Sequence, residues 1–194
     1  ELALSYFAQE GLFDDVPMAF ADVGWRGTLQ VVLGRLLGKK TPGFYFGLFT
    51  TEFFSEGDVF HAYLFSPKKN RFFRALFNNS LFECFCSAPD GMTAGYKKDG
   101  DATIPVFASQ GNANCTAWHL EGQAACILFY AKRYLEKTER HVADKSLCKK
   151  LLVRLMAFPS RYEADFYGRY LFSDETNEEG LVPLAPPYSP GEFV

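Results

Sequence analysis

Residues 22–30 read Asp-Val-Gly-Trp-Arg-Gly-Thr-Leu-Gln, and their types and spacing suit the binding of an anion better than any other stretch of the chain. They follow an apolar segment (18–21) with the pattern of a buried strand and lead into an amphipathic helix. Gly24 and Gly27 permit a tight turn, and the first amides of a helix have no acceptor within the helix. A phosphate or carboxylate can therefore bind there, although no particular reaction is specified.

Each polar or aromatic side chain of this segment has a ligand-binding and a structural interpretation. Asp22 accepts hydrogen bonds either from a sugar or from the amides of its own loop. Trp25 either stacks on a ligand or packs in the core, and Arg26 either contacts phosphate or is simply exposed. Thr28 is predicted to cap the helix, with its hydroxyl within reach of an anion. Gln30 faces away from the apolar stripe of the helix, where it either orients a ligand or is solvated. The candidate ligand-binding residues are Gly24, Trp25, Arg26, Gly27, Thr28 and Gln30.

The candidate catalytic residues are two carboxylates. Asp22 is one, and Glu83, on a predicted helix, is the other because it suits a general base, although a surface helix residue is the simpler interpretation. Asp22 followed by Gly-Thr-Leu superficially resembles the phosphatase motif of the haloacid dehalogenase superfamily, whose second Asp stands two positions later. That position is Gly24 here, which disfavours a free-standing hydrolase. His61 and His119 fall in no metal-ligand spacing, so neither a metal nor a cofactor is predicted.

Composition narrows the class of protein. The 194 residues include 20 basic and 23 acidic side chains, for a formal charge of −3, and the small lysine clusters are scattered, so nucleic acid is not an expected partner. Five cysteines without a Cys-x-x-Cys pair favour a reducing compartment over a disulfide framework or a zinc site. Neither a membrane-spanning run nor a signal sequence is present, and we expect a cytoplasmic location. The chain begins within a predicted helix, so we expect further domains in a longer protein.

Hydrophobic periodicity predicts alternating strands and helices in the first half of the chain and mainly helices in the second. The predicted elements are a helix at 2–11, a buried strand at 16–21, a helix from about 28 to 38, strands at 43–50 and 59–65, a helix at 70–86, a hairpin of 92–96 with 103–108, and helices at 117–137, around 148–156 and at 162–170. We expect one α/β domain at 1–176, three-layered and Rossmann-like, with flanking helices, a mainly parallel sheet and a β-hairpin insertion. An irregular Pro/Gly-rich tail at 177–194 is expected to continue into sequence not present here.

The pattern Asp-x-Gly-Trp-x-Gly-Thr-x-Gln also carries a family resemblance. With looser matches at 44–47, 83, 87–91, 95–96, 105–106 and 121–123, it resembles the region downstream of the phosphatase-like domain in bacterial haloacid-dehalogenase-like hydrolase proteins associated with cell-surface polysaccharide biosynthesis. The resemblance covers most of the chain and implies a nucleotide sugar or sugar phosphate as ligand. It leaves two roles open, a glycosyltransferase-like part or a non-catalytic binding or interaction domain beside the upstream hydrolase. The hydrolase nucleophile belongs to that upstream domain, so its activity is not assigned to any residue of this chain.

Overall fold

The computed structural model describes residues 1–108, 119–138, 144–172 and 182–185. The chain divides into two compact units. Unit 1 comprises Glu1–Ala75 and Thr93–Phe107, and unit 2 comprises Leu76–Met92 and Ala108–Val194. The single domain expected at 1–176 stays a prediction. The tail expected at 177–194 lies outside the described residues except at 182–185.

Unit 1 is built on a three-stranded parallel sheet in the order β1-β2-β3. Its elements are α1 (Leu2–Gln9), β1 (Phe20–Asp22), α2 (Thr28–Leu37), β2 (Gly43–Gly47), β3 (Phe60–Phe65) and α3 (Arg71–Ala75). Helix α2 joins β1 to its parallel neighbour β2, which makes a βαβ unit. An α/β arrangement with a parallel sheet and helices beside it is therefore confirmed.

Glycine sets both ends of α2. Gly27 is the N-cap, with φ 73°, and Gly38 is the C-cap, with φ 66°. Both angles are left-handed, a conformation that glycine adopts without a steric penalty. The predicted end at Gly38 is confirmed. The predicted cap role of Thr28 is wrong, because Thr28 is the first residue of the helix and Gly27 precedes it.

A buried amide joins α2 to the sheet. Gln30, only 5% exposed, donates through Nε2 to the carbonyl oxygens of Thr41 (2.8 Å) and Val59 (3.0 Å). Its Oε1 accepts a hydrogen bond of 2.7 Å from the Tyr45 hydroxyl. A Cβ at Gly43 would lie 2.0 Å from that Oε1, so the glycine leaves room for the amide. Gln30 therefore has a structural role that is neither of the two predicted for it.

The apolar stripe predicted on α2 points largely away from the sheet. Leu29, Val32 and Leu36 are exposed, Val32 by 57%, whereas Leu33 and Leu37 are half-buried. Residues three and four apart share a helix face, so Leu33 and Leu37 lie on the same side of α2 as the buried Gln30. The rotation of the helix that buries Gln30 therefore leaves the rest of the apolar stripe exposed.

The first strand also differs from its prediction. It is an edge strand of three residues, Phe20–Asp22, rather than a buried strand at 16–21. Val16 is exposed and precedes it. An apolar run does not by itself show whether a strand lies at the centre or at the edge of a sheet.

The predicted hairpin is confirmed in unit 1, and its strands are β4 (Thr93–Asp99) and β5 (Ala102–Phe107). Gly100, with φ 58°, occupies the turn. The hairpin packs against α1, where the rings of Tyr6 and Tyr96 lie 5.0 Å apart. Gln9 bonds both backbone polar groups of Thr103, accepting from its amide at 2.8 Å and donating to its carbonyl at 3.2 Å.

Unit 2 is mainly helical. Its elements are α4 (Asn79–Phe85), α5 (Leu120–Lys137), α6 (Lys145–Ala157), α7 (Arg161–Gly168), β6 (Leu171–Phe172) and β7 (Val182–Pro183). Cys84, Leu120 and Tyr170 form a buried cluster, and the Tyr170 hydroxyl donates to Gln123 Oε1 at 2.6 Å. The last three helices correspond to predicted ones, although residues 117 and 118 of the first lie outside the described residues.

The single helix predicted at 70–86 is wrong, because the structure has α3 and α4 separated at 76–78. The side chain of Asn78 caps α4 by accepting a hydrogen bond of 3.0 Å from the Leu81 amide. Asparagine is among the strongest N-cap residues, so a new helix begins where hydrophobic periodicity alone predicts a continuous one.

Replacing Gln30 with leucine should lower the free energy of unfolding of unit 1 by about 2–4 kcal/mol, because two carbonyls and a hydroxyl lose their partner. Urea unfolding followed by Trp25 fluorescence in a Trp118→Phe background measures the change. Val32→Ala, an exposed substitution on the same helix, is the control and should change the stability by less than about 0.5 kcal/mol. A Gln30→Leu protein as stable as its parent would contradict the role of the amide.

Candidate functional site

The predicted ligand-binding loop lies at the carboxyl end of β1, where parallel sheets commonly bind ligands. Asp22 is the last residue of the strand, and α2 begins at Thr28. The predicted strand-to-helix turn is confirmed, and Gly27 within it takes a left-handed conformation that is unfavourable to other residues.

The Asp22 carboxylate fixes this loop. Its Oδ1 accepts a hydrogen bond of 2.7 Å from the Gly24 amide. A Cβ at Gly24 would lie 2.9 Å from the same oxygen, so glycine allows the carboxylate to fold over the backbone. This contact is the structural role considered for Asp22, in which the carboxylate accepts a hydrogen bond from an amide of its own loop. A role for Asp22 or Gly24 toward a ligand stays a prediction.

Asp22 also influences a buried tyrosine on the neighbouring strand. Tyr45 is opposite Asp22 in the β1–β2 register. Burial, followed by the negative charge of Asp22, raises the pKa of Tyr45 to about 12. The phenol therefore stays neutral and donates to Gln30, which connects the loop to the amide beneath α2.

Trp25 packs in the core of unit 1, so the structural interpretation applies to it. Its indole is 6% exposed and lies nearly parallel to the Phe65 ring, with centroids 6.2 Å apart. The Phe49 ring is 5.7 Å away, and the Phe49 amide donates to the Trp25 carbonyl at 2.8 Å. Arg74 covers the Phe49 ring at 4.9 Å.

Phe54 occupies the space over Gly27. A Cβ at Gly27 would lie 2.2 Å from Phe54 Cζ, so a bulky residue there would disturb the packing of the loop. Arg26 and Thr28, on either side of this glycine, are exposed. The groups offered to an anion are thus the Arg26 guanidinium, the Thr28 hydroxyl and the first amides of α2. Sequence reasoning missed Phe54, which lies four residues beyond the strand predicted at 43–50.

The other candidate polar residues do not join this loop within unit 1. Glu83 is a half-buried residue of α4 and belongs to unit 2, whereas Asp22 belongs to unit 1. His61 stacks on Phe44 in the amino-terminal half of β3, with centroids 4.9 Å apart. The side chains that pack against the loop in unit 1, described above, are aromatic.

Cysteine chemistry is disfavoured near Glu83. Burial, followed by the charge of Glu83, raises the pKa of Cys84 to about 11, and the same causes raise the pKa of Cys86. Both thiols are therefore protonated near neutral pH and poorly suited to act as nucleophiles.

A second polar feature of unit 1 is a cleft of about 260 Å³ that runs along α2 from Gln30 to the carboxyl end of the helix. Its lining includes Arg35, Lys39, Lys40, Ser55 and Asp58. Lys40 pairs with Asp58 at 3.3 Å and Lys39 donates to the Asp14 carbonyl at 3.0 Å. The pKa of Asp58 is lowered chiefly by the Ser55 amide and then by Lys40. These cations also offset the partial negative charge of the helix end, which gives them a structural role.

Comparisons of the chain with protein-family models, characterised proteins and solved structures find no significant match. In the described ranges, no group of three or more His, Cys, Asp or Glu side chains is placed to hold a metal ion. Across the same ranges, none of the helices combines the length and apolar character that a membrane span requires.

Replacing Asp22 with asparagine should lower the pKa of Tyr45, because a nearby negative charge opposes phenol ionisation. Burial, the larger cause, should still hold the pKa above the ordinary value of about 10. A pH titration of the tyrosine ¹³Cζ resonances measures it, with Tyr45→Phe for assignment and Asp14→Asn as the control. An unchanged titration in Asp22→Asn would contradict the proximity of the two groups. Since the folded pKa is raised, the stabilisation by neutral Tyr45 is present below about pH 10 and is lost as the pH rises toward 12.

Proposed function

We propose that this chain supplies the binding domain for a nucleotide sugar or sugar phosphate in a bacterial protein of surface-polysaccharide biosynthesis. The ligand phosphate would lie at the amino end of α2, against its first amides, with Arg26 supplying positive charge. The observation that carries the proposal is the turn from Asp22 to Thr28, which opens α2 with a left-handed Gly27 at the carboxyl end of a parallel strand. The proposal that the ligand contains a sugar comes from the family resemblance of the same segment.

The side chains around the loop favour a ligand-binding role over a catalytic one. Asp22 is the one carboxylate of residues 22–30, and it bonds the Gly24 amide. Aromatic side chains, among them Phe49 and Phe54, pack against the loop. A glycosyltransferase role would need a general base, for which Glu83 stays the candidate. The non-catalytic role beside an upstream haloacid-dehalogenase-like domain therefore fits the geometry better.

The proposal also covers the detailed fold class and the cellular location of the protein. We propose that the β1–α2–β2–β3 arrangement belongs to a three-layer Rossmann-like fold, because successive parallel strands and a crossover helix are its repeating unit. We propose a cytoplasmic location, which the free thiols of Cys84, Cys86, Cys126 and Cys148 support as expected in a reducing compartment. From the family resemblance, we also propose that the full-length protein contains further domains.

Arg26→Ala should weaken the binding of a nucleotide sugar by about tenfold to a hundredfold, since a charged hydrogen bond typically contributes about 1.5–3 kcal/mol. Titration calorimetry with uridine, cytidine and guanosine diphosphate sugars measures this. Arg71→Ala removes another exposed arginine of unit 1 and should leave the affinity unchanged. Binding that is indifferent to Arg26→Ala would place the site elsewhere, and no binding across the panel would favour an interaction domain.

The chain should not hydrolyse phosphate monoesters above background, because Gly24 occupies the position of the second carboxylate that such a phosphatase needs. A chromogenic phosphate ester with Mg²⁺ provides the assay. Asp22→Asn is the diagnostic variant, because turnover that disappears in it would restore the hydrolase hypothesis and count against a binding role.

A further inference from the structure

The cleft beside α2 has a surplus of positive charge. Among the described residues, three cations and one carboxylate line it, namely Arg35, Lys39, Lys40 and Asp58. The pKa of Asp58 is lowered, chiefly by the hydrogen bond from the Ser55 amide, so this carboxylate is ionised near neutral pH. The four side chains therefore have a formal charge of +2, which is opposite in sign to a phosphate monoester above its second pKa of about 6.

The two lysines are held in place by contacts that leave some of their donors unused. Lys40 pairs with Asp58 at 3.3 Å and also donates to the carbonyl oxygen of Glu56. Lys39 donates to the carbonyl oxygen of Asp14 at 3.0 Å. An ammonium group carries three hydrogen-bond donors, so each lysine retains at least one for a ligand. Both side chains are thus positioned by the protein and can still bind an anion.

Two other groups in the lining make no hydrogen bond with any residue that the structure describes. One is the guanidinium of Arg35, whose charge acts on Asp58 but which forms no ion pair within those residues. The other is the hydroxyl of Thr41, although this residue is only 4% exposed and its carbonyl accepts from Gln30. A hydroxyl removed from water without a partner costs free energy, and an oxygen of a ligand in the cleft would provide the partner.

The size and the walls of the cleft limit the ligand to a small one. The volume is about 260 Å³, slightly below the range of about 300–1,000 Å³ that is typical of small-molecule sites. On the α2 side the wall contains Val31, Gly34 and Gly38, so part of it is apolar and two positions have no side chain. A Cβ built at Gly38 would meet no atom within 4 Å, so there is open space beside this end of the helix. A phosphate on a short carbon skeleton fits this space, whereas a whole nucleotide sugar is too large for it.

We propose that the cleft is a second anion site, which binds a small phosphate monoester. Its three cations would contact the phosphate oxygens, and the Thr41 hydroxyl would donate to one of them. Charge-assisted hydrogen bonds are about twice as strong as neutral ones, and a guanidinium can bind phosphate in a bidentate way. The carboxyl end of α2 carries about half a negative charge, which opposes an anion, but the surplus of +2 outweighs it. The site is independent of the proposed nucleotide-sugar site, whose ligand phosphate would contact the amino end of α2.

A ¹⁵N titration of the whole chain with glycerol phosphate tests the proposal. Saturable shifts should fall on the amides of residues 35, 39–41, 55 and 58, and inorganic phosphate should shift the same amides because the cations contact the phosphate group. Glycerol, which has the same carbon skeleton without the charge, should cause no shifts. Glycerol phosphate that leaves these amides unmoved, or glycerol that moves them equally, would overturn the proposal.

Substitutions show which groups bind the phosphate. Arg35→Gln should weaken the binding of glycerol phosphate about tenfold. Arg71→Gln, the matched control, removes another exposed arginine of unit 1 and should leave the affinity unchanged. Thr41→Val should weaken binding about fivefold without lowering the stability to urea, because the hydroxyl bonds no described residue. Equal effects of the two arginine variants, or an affinity indifferent to Arg35→Gln, would contradict the site.

Arg26→Ala separates this site from the proposed function. The variant removes positive charge at the Asp22 loop and should leave the cleft shifts and their midpoint unchanged. Cleft shifts that persist while those of residues 24–29 are lost would support two separate sites. Loss of the cleft shifts in Arg26→Ala would contradict an independent second site.

Discussion

The position of the candidate site depends on one buried side-chain amide. Gln30 bonds the carbonyls of Thr41 and Val59, which stand just before β2 and β3, and it accepts from Tyr45 in the middle of β2. One side chain thus holds α2 against two neighbouring strands. Tyr45 is also the register partner of Asp22, so this network lies beside the end of β1 and the loop that precedes the helix.

This polar contact explains why the surface of α2 is unusual. Gln30 takes a position against the sheet that an amphipathic helix normally gives to an apolar residue, and Leu29 and Val32 are turned outward. It also fixes the direction in which the amino end of α2 presents its amides. The loop over that end is held by the Asp22–Gly24 hydrogen bond and by the Phe54 ring over Gly27. In the function that we propose, this loop holds an anion and does not transfer protons.

Local signals in the sequence predicted local structure. The change from strand to helix around Gly27, the glycine stop at Gly38 and the hairpin around Gly100 each depend on residues close together in the chain, and each is confirmed. Contacts between distant residues could not be predicted in this way. The partners of Gln30 lie 11 to 29 residues away, and Phe54 reaches Gly27 across the sheet edge, so burial of the amide and closure of the loop depend on tertiary packing.

The proposed anion site lies at the amino end of α2, whereas the cations of the basic cleft lie at the carboxyl end, so an amide-resolved titration can separate them. In ¹⁵N spectra of the chain titrated with a nucleotide diphosphate sugar, the largest saturable shifts should fall on the amides of residues 24–29 at the amino end of the helix. Shifts concentrated on Lys39, Lys40 and Asp58, with residues 24–29 unmoved, would contradict anion binding at the Asp22 loop and place the ligand in the cleft.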